Sequence, residues 1–122
     1  MTRFYRVAMI AATTTLLGGW LATGANAQTL TVEQYQHPIG EKDLNFNKPY
    51  FEGIKDALLI YNISTEAKLF CLGGMPPVLT FDRANDVLLR WARKRGGDAK
   101  GMSLGLALLY SLQDAFPCKA AR

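Results

Sequence analysis

The sequence predicts an all-α fold, a small helical bundle stapled by one disulfide between Cys71 and Cys118. Three observations point to it. Apolar residues recur at spacings of three and four in two stretches and cover most of the circumference of a third. One of these stretches is bracketed by start and stop signals, Thr80 before it and Arg93, Lys94, Arg95, Gly96 at its end. The only two cysteines lie in Leu69-Phe70-Cys71 and Phe116-Pro117-Cys118, so each stands beside an aromatic candidate core anchor.

Residues 1–27 read as a secretory signal peptide. Arg3 and Arg6 form a short positive region, Val7 to Leu21 carries no charge, and Ala25-Asn26-Ala27 is an A-x-A cleavage signal. The alternative is a membrane-anchoring helix, for which the apolar run is short. Cleavage after Ala27 leaves about 95 residues, the size of one small domain, with no stable membrane insertion expected. Of the 14 basic side chains, Arg3 and Arg6 leave with that segment, and the remaining balance against 10 acidic ones is close to neutral. No basic stripe with interleaved aromatics appears, so nucleic acid is not an expected partner.

Export to an oxidising compartment permits a disulfide, and two cysteines allow one intramolecular pairing. Closing a loop of that length would stabilise by about 4 kcal/mol in the chain-entropy view. Two unpaired buried thiols are the alternative.

Residues 28–49 have no helical period and are expected to be an irregular lead-in, within which Leu30, Val32 and Tyr35 can form a short helix or strand packed on the body. His37, the only histidine, reads as a surface residue, since no second histidine or thiolate cluster could share a metal. The helical domain is expected over residues 50–119. Tyr50, Ile54, Ala57, Leu58 and Tyr61 form the apolar stripe of a first helix at 50–63, with Glu52, Lys55, Asp56 and Asn62 on its wet side. Pro49 suits its start, and Gly53 suggests close packing. The sequon Asn62-Ile63-Ser64 reads as a chance match. Gly73, Gly74, Pro76 and Pro77 then exclude a regular helix and mark a turn-rich connection with no phosphate-loop spacing.

The second helix carries the clearest local signals. Thr80 is an N-cap, Asp82 and Asp86 oppose the positive end of the dipole, and Arg93, Lys94 and Arg95 crowd the last turn before Gly96 and Gly97. Phe81, Ala84, Val87, Leu88 and Trp91 make its apolar stripe, and Asp86 and Arg90 are spaced as an ion pair on the wet side. After a loop at 96–101, a third helix at 103–116 carries Leu104, Leu106, Ala107, Leu108, Leu109, Leu112, Ala115 and Phe116, and is expected to be the central, most buried element. Pro117 stops it.

Chemistry for catalysis is not evident. No metal-spaced cluster or nucleophile motif stands out, and the Asp82 and Asp86 carboxylates are explained by the helix dipole. The expectation is therefore a binding module and not an enzyme, without cofactor or metal. Arg93, Lys94, Arg95, Gly96, Gly97, Asp98 and Lys100 are the candidate partner-binding residues, on a loop whose base the disulfide-framed core would hold still; a plain surface loop with a dipole-matched helix end is the alternative.

Tyr50 with Gly53 and Ile54, then Leu69-Phe70-Cys71, then Leu79-Thr80 opening a helix with Val87 and Trp91, and finally Ala115-Phe116-Pro117-Cys118 resemble the Tai/Rap immunity proteins of type VI secretion amidases. The match covers most of residues 46–119. It implies a helical periplasmic protein, often a homodimer, that binds a cell-wall amidase effector delivered by neighbouring or sister cells and blocks its active-site cleft. Cys71 and Cys118 match the disulfide positions of that family. The runner-up expectation is a periplasmic chaperone of the acid-stress type, which also uses a small helical fold with one disulfide.

Overall fold

In the computed structural model, residues 29–74 and 77–119 are described, and the expected signal peptide at 1–27 lies outside them. Five helices follow in order: α1 (Val32–Gln36), α2 (Glu41–Ser64), α3 (Phe81–Arg95), α4 (Gly97–Lys100) and α5 (Leu104–Ala115). Among the described residues the only extended pairing is an isolated antiparallel bridge between Thr31 and Ser103. The all-α expectation holds, and Cys71 and Cys118 are bonded with their Cα atoms 4.9 Å apart.

α5 is the central element, packed against α1, α2 and α3. Leu104, Ala107, Leu108 and Leu112 are fully buried, as a helix apolar on most sides should be. The expectation overreached at its margins, since Leu106 and Ala115 are exposed and the fully enclosed polar residue is Ser111, whose Oγ donates to the Leu108 carbonyl at 2.8 Å. α3 matches its sequence signals closely. The Arg83 amide donates to Thr80 Oγ1, Asp86 and Arg90 pair at 2.8 Å, and Ala84, Val87, Leu88 and Trp91 are buried. Gly96 ends the helix at φ 60°, ψ −132°, a conformation open to glycine, while its amide donates back to the Ala92 carbonyl.

The lead-in at 28–49 is not irregular. Thr31 and Gln34 form a reciprocal capping box that opens α1, and Val32 is fully buried. The Val32 amide donates to the Met102 carbonyl at 3.0 Å, and the Leu104 amide donates to the Leu30 carbonyl at 2.7 Å. The second bond satisfies an orphan amide at the start of α5, where Ser103 makes no side-chain cap. Residues from Leu30 onward are therefore part of the packed body, which is not confined to residue 50 and beyond.

α2 also begins earlier than expected, at Glu41, with Pro49 inside it. Pro49 has no amide to donate to the Asn45 carbonyl, but both residues are exposed and solvent reaches that carbonyl. Tertiary contacts hold this first half in place. Asn47 is buried and its Nδ2 donates to the carbonyls of Gln34 and Tyr35, both at 3.4 Å. Phe51 is fully buried between Tyr35, stacked at 5.3 Å, and Phe81, edge-on at 5.3 Å.

The buried face of α2 is rotated from the expected stripe. Phe51, Lys55 and Asn62 are buried, Ile54 and Leu58 are half-buried, and Ala57 and Tyr61 are exposed. Lys55 and Asn62, expected on the wet side, are thus internal because each brings its own partners. Gly53 faces open space, so its expected close-packing role is not met.

Candidate functional site

Asn62 and Lys68 build the floor on which the staple rests. Asn62 Oδ1 accepts from the amides of Leu69 at 2.7 Å and Phe70 at 3.2 Å, while its Nδ2 donates to the Phe70 carbonyl at 2.9 Å. Those bonds use the side chain's amide, so the sequon at Asn62 describes a buried anchor. Lys68 Nζ donates to the carbonyls of Asn62, Ile63 and Thr65 at 2.9, 3.0 and 2.7 Å. α2 has no basic residue in its last turn, and Lys68 supplies the positive charge that this end of the dipole favours. Phe70 then inserts fully into the core, and the Cys71 amide donates to the Phe116 carbonyl at 2.8 Å. Both cysteines are exposed, so the aromatic Phe70 is the core anchor and the disulfide is a surface tie beside it.

The expected partner-binding residues are neighbours in the chain at the end of α3 and in α4. Arg93, Lys94, Arg95, Gly96, Gly97, Asp98 and Lys100 are all exposed, on the last turn of α3 and the short α4. Among the described residues none of their charged side chains enters an ion pair; the Arg95 guanidinium lies 5.0 Å from the Trp91 ring centroid. The segment is fixed from beneath by one side chain that composition did not single out. Ala99, 1% exposed, packs into the core, and the Met102 amide donates to its carbonyl at 3.1 Å. Because Met102 also accepts from Val32, the base of the loop is tied to α1 as well as to α3 and α5. The signal for Ala99 is weak in sequence, a single small apolar residue between Asp98 and Lys100, and only the fold gives it meaning.

Two titratable groups elsewhere are displaced from their ordinary behaviour. Burial, with a smaller contribution from the Glu52 charge, pushes the Tyr35 hydroxyl up to about 12, so it stays a donor to Asn85 Oδ1 at 2.7 Å. The hydrogen bond to Glu52 holds Lys55 above its usual range, with Asp56 adding to the effect against the opposing pull of desolvation. Glu52 and Asp56 lie 2.6 and 3.2 Å from Lys55 Nζ, which accounts for a lysine that is 8% exposed. The Tyr35 bond joins α1 to α3, and the Lys55 pairs lie within α2.

His37 is exposed after α1, and among the described residues no three His, Cys, Asp or Glu side chains gather as a metal site. No helix among them is long and apolar enough to cross a membrane. The surface thus offers recognition chemistry in the form of exposed cations on a braced loop. Compared with known proteins, the chain matches no family model, no curated protein and no solved structure.

Proposed function

We propose that the chain is an exported, immunity-type protein that binds a peptidoglycan amidase effector of type VI secretion and blocks its active-site cleft. One observation carries the reading. Several of the residues on which the resemblance rests, among them Phe70 with Cys71, Thr80, Trp91, and Phe116 with Cys118, belong to the frame of the fold, and the charged side chains from Arg93 to Lys100 are exposed beside it. An inhibitor that enters a cleft gains affinity from a few well-held side chains, and a base pinned through Ala99, Met102 and Val32 limits the ordering cost on binding.

The reading includes export to the periplasm, for which the leader-like residues 1–27 and an exposed disulfide are the support. It also includes a homodimer, which sedimentation would detect. The direct test is titration of the protein into candidate amidases encoded beside its gene, with cell-wall hydrolysis as the readout. A cognate amidase should be inhibited stoichiometrically at about micromolar concentration or below. Reversing charge at Arg93, Arg95 and Lys100 together should weaken inhibition at least tenfold while leaving the fold intact. Failure to bind any cognate candidate at that concentration overturns the proposal.

A further inference from the structure

Beside the loop, α3 and α5 form a groove lined in part by charged side chains. α3 and α5 run antiparallel, as shown by Arg83 stacked 4.6 Å from the Phe116 ring centroid at one end and Trp91 lying 6.4 Å from Tyr110 at the other. Between them is a groove of about 400 Å³. Its α3 wall carries Arg83, Arg90 and Lys94, its α5 wall carries Asp114, and its floor is the edge of Val87 and Trp91 with Phe116.

We infer that this groove binds an extended acidic segment of a partner protein. The three cations stand on one face of a straight helix, so the rise of 1.5 Å per residue separates Arg83 from Arg90 by about 10 Å and Arg90 from Lys94 by about 6 Å. In an extended peptide, residues on one face repeat every 6.6 Å or so. Carboxylates two residues apart therefore meet Arg90 and Lys94, and a third, four residues further, reaches Arg83 through the length of both side chains.

The cations are available. Arg83 and Lys94 have no ion-pair partner among the described residues, and the Asp86 that holds Arg90 lies with it in an exposed pair, which is cheap to rearrange. Arg83 is held by its stacking on Phe116 and keeps its guanidinium edge for a carboxylate.

Asp114 decides between anionic partners. A carboxylate in the groove repels any anion, and a peptide offsets this with backbone amide donors along its whole length, which a DNA backbone lacks. Stacking also favours the peptide. Trp91 is 5% exposed, with the Arg95 guanidinium 5.0 Å from its ring centroid, so it offers no open face on which a base could lie.

This inference does not rest on the identity of the partner as an amidase. Its test uses peptides alone, so its failure and the failure of the inhibitor reading are separate results. A fluorescent heptapeptide with glutamates at its first, fifth and seventh positions and serine elsewhere is titrated with the full chain and followed by anisotropy. Saturable one-to-one binding is expected, weakening as salt is raised from about 50 to 300 mM. Arg90→Gln with Lys94→Gln should weaken it about tenfold or more, while Arg93→Gln with Lys100→Gln, neither of which lines the groove, should change it less than about threefold. All four side chains are exposed, and unchanged far-ultraviolet circular dichroism will show that the variants fold. The inference is overturned by any of three results: no saturation at millimolar protein, equal loss in both double variants, or tighter binding of a single-stranded oligonucleotide of matching charge.

Discussion

Asn62 satisfies two backbone amides and one carbonyl with a single buried side chain, and the segment it holds contains Phe70 and leads into Cys71. Alanine at that position would leave the Leu69 and Phe70 amides and the Phe70 carbonyl without partners, and each such group costs about 1–3 kcal/mol when it stays buried. Some relaxation toward solvent is open to Leu69, which is only half-buried. Asn62→Ala is therefore expected to destabilise by about 2–4 kcal/mol, read as a shift of the urea midpoint at unchanged slope. Asn62→Asp keeps both acceptor contacts but sets a carboxylate oxygen against the Phe70 carbonyl, and should destabilise as well. A change below about 0.5 kcal/mol in the alanine variant would mean that the connection is held by Phe70 packing alone. Nothing in the sequence singles out this role. The side chain acts on residues seven and eight positions away across a turn, which helical periodicity does not register.

At the scale of the element, α2 and α3 show what local sequence can carry. α3 was legible because each of its signals acts within one turn: Thr80 caps, Asp82 and Arg93 to Arg95 match the dipole, and Gly96 takes the positive φ. α2 was legible only from residue 50 onward, because Pro49 and Gly53 depress local helix propensity while the forces that extend the helix back to Glu41 come from elsewhere. Asn47 bonded to α1 and Phe51 seated between Tyr35 and Phe81 are those forces. A proline kept inside a helix by tertiary contacts makes a clear prediction. Pro49→Ala restores an amide that can reach the Asn45 carbonyl and removes a ring from the helix interior, at the smaller cost of a freer unfolded chain. We expect the variant to be more stable by about 1–2 kcal/mol, seen as a rise in Tm. If α2 instead began at Tyr50, proline would sit at a favoured opening position and the same variant would be neutral or less stable.

Across the whole molecule, the candidate loop was legible because exposure of a charged run between glycines follows from composition, whereas the groove was not, because it exists only once α3 and α5 lie side by side. Their packed core holds them so, and the tie between Cys71 and Cys118, 47 residues apart, adds a restraint at one end, with one backbone bond from the Cys71 amide to the Phe116 carbonyl beside it. The enclosed loop contains α3, α4 and α5, so the bond restrains the unfolded chain over the segment that carries both the proposed binding loop and the proposed groove. Restraint of that length corresponds to about 4 kcal/mol in the chain-entropy view, a large share of the stability of a small domain. Cys118→Ala should accordingly lower Tm by well over 10 °C, at about 4–8 °C per kcal/mol for a domain of this size. Because both cysteines are exposed, dithiothreitol acting on the folded parent should reproduce the variant's Tm without prior unfolding. The basic loop should respond less than the groove does. Its base is also pinned through Ala99 and Met102 to α1, outside the closed loop, while Phe116, on which Arg83 stacks, is adjacent to the tie itself. Reduced protein would thus lose acidic-peptide binding before it loses the loop, and an unchanged Tm on reduction would show that the packing of α5 alone holds the bundle.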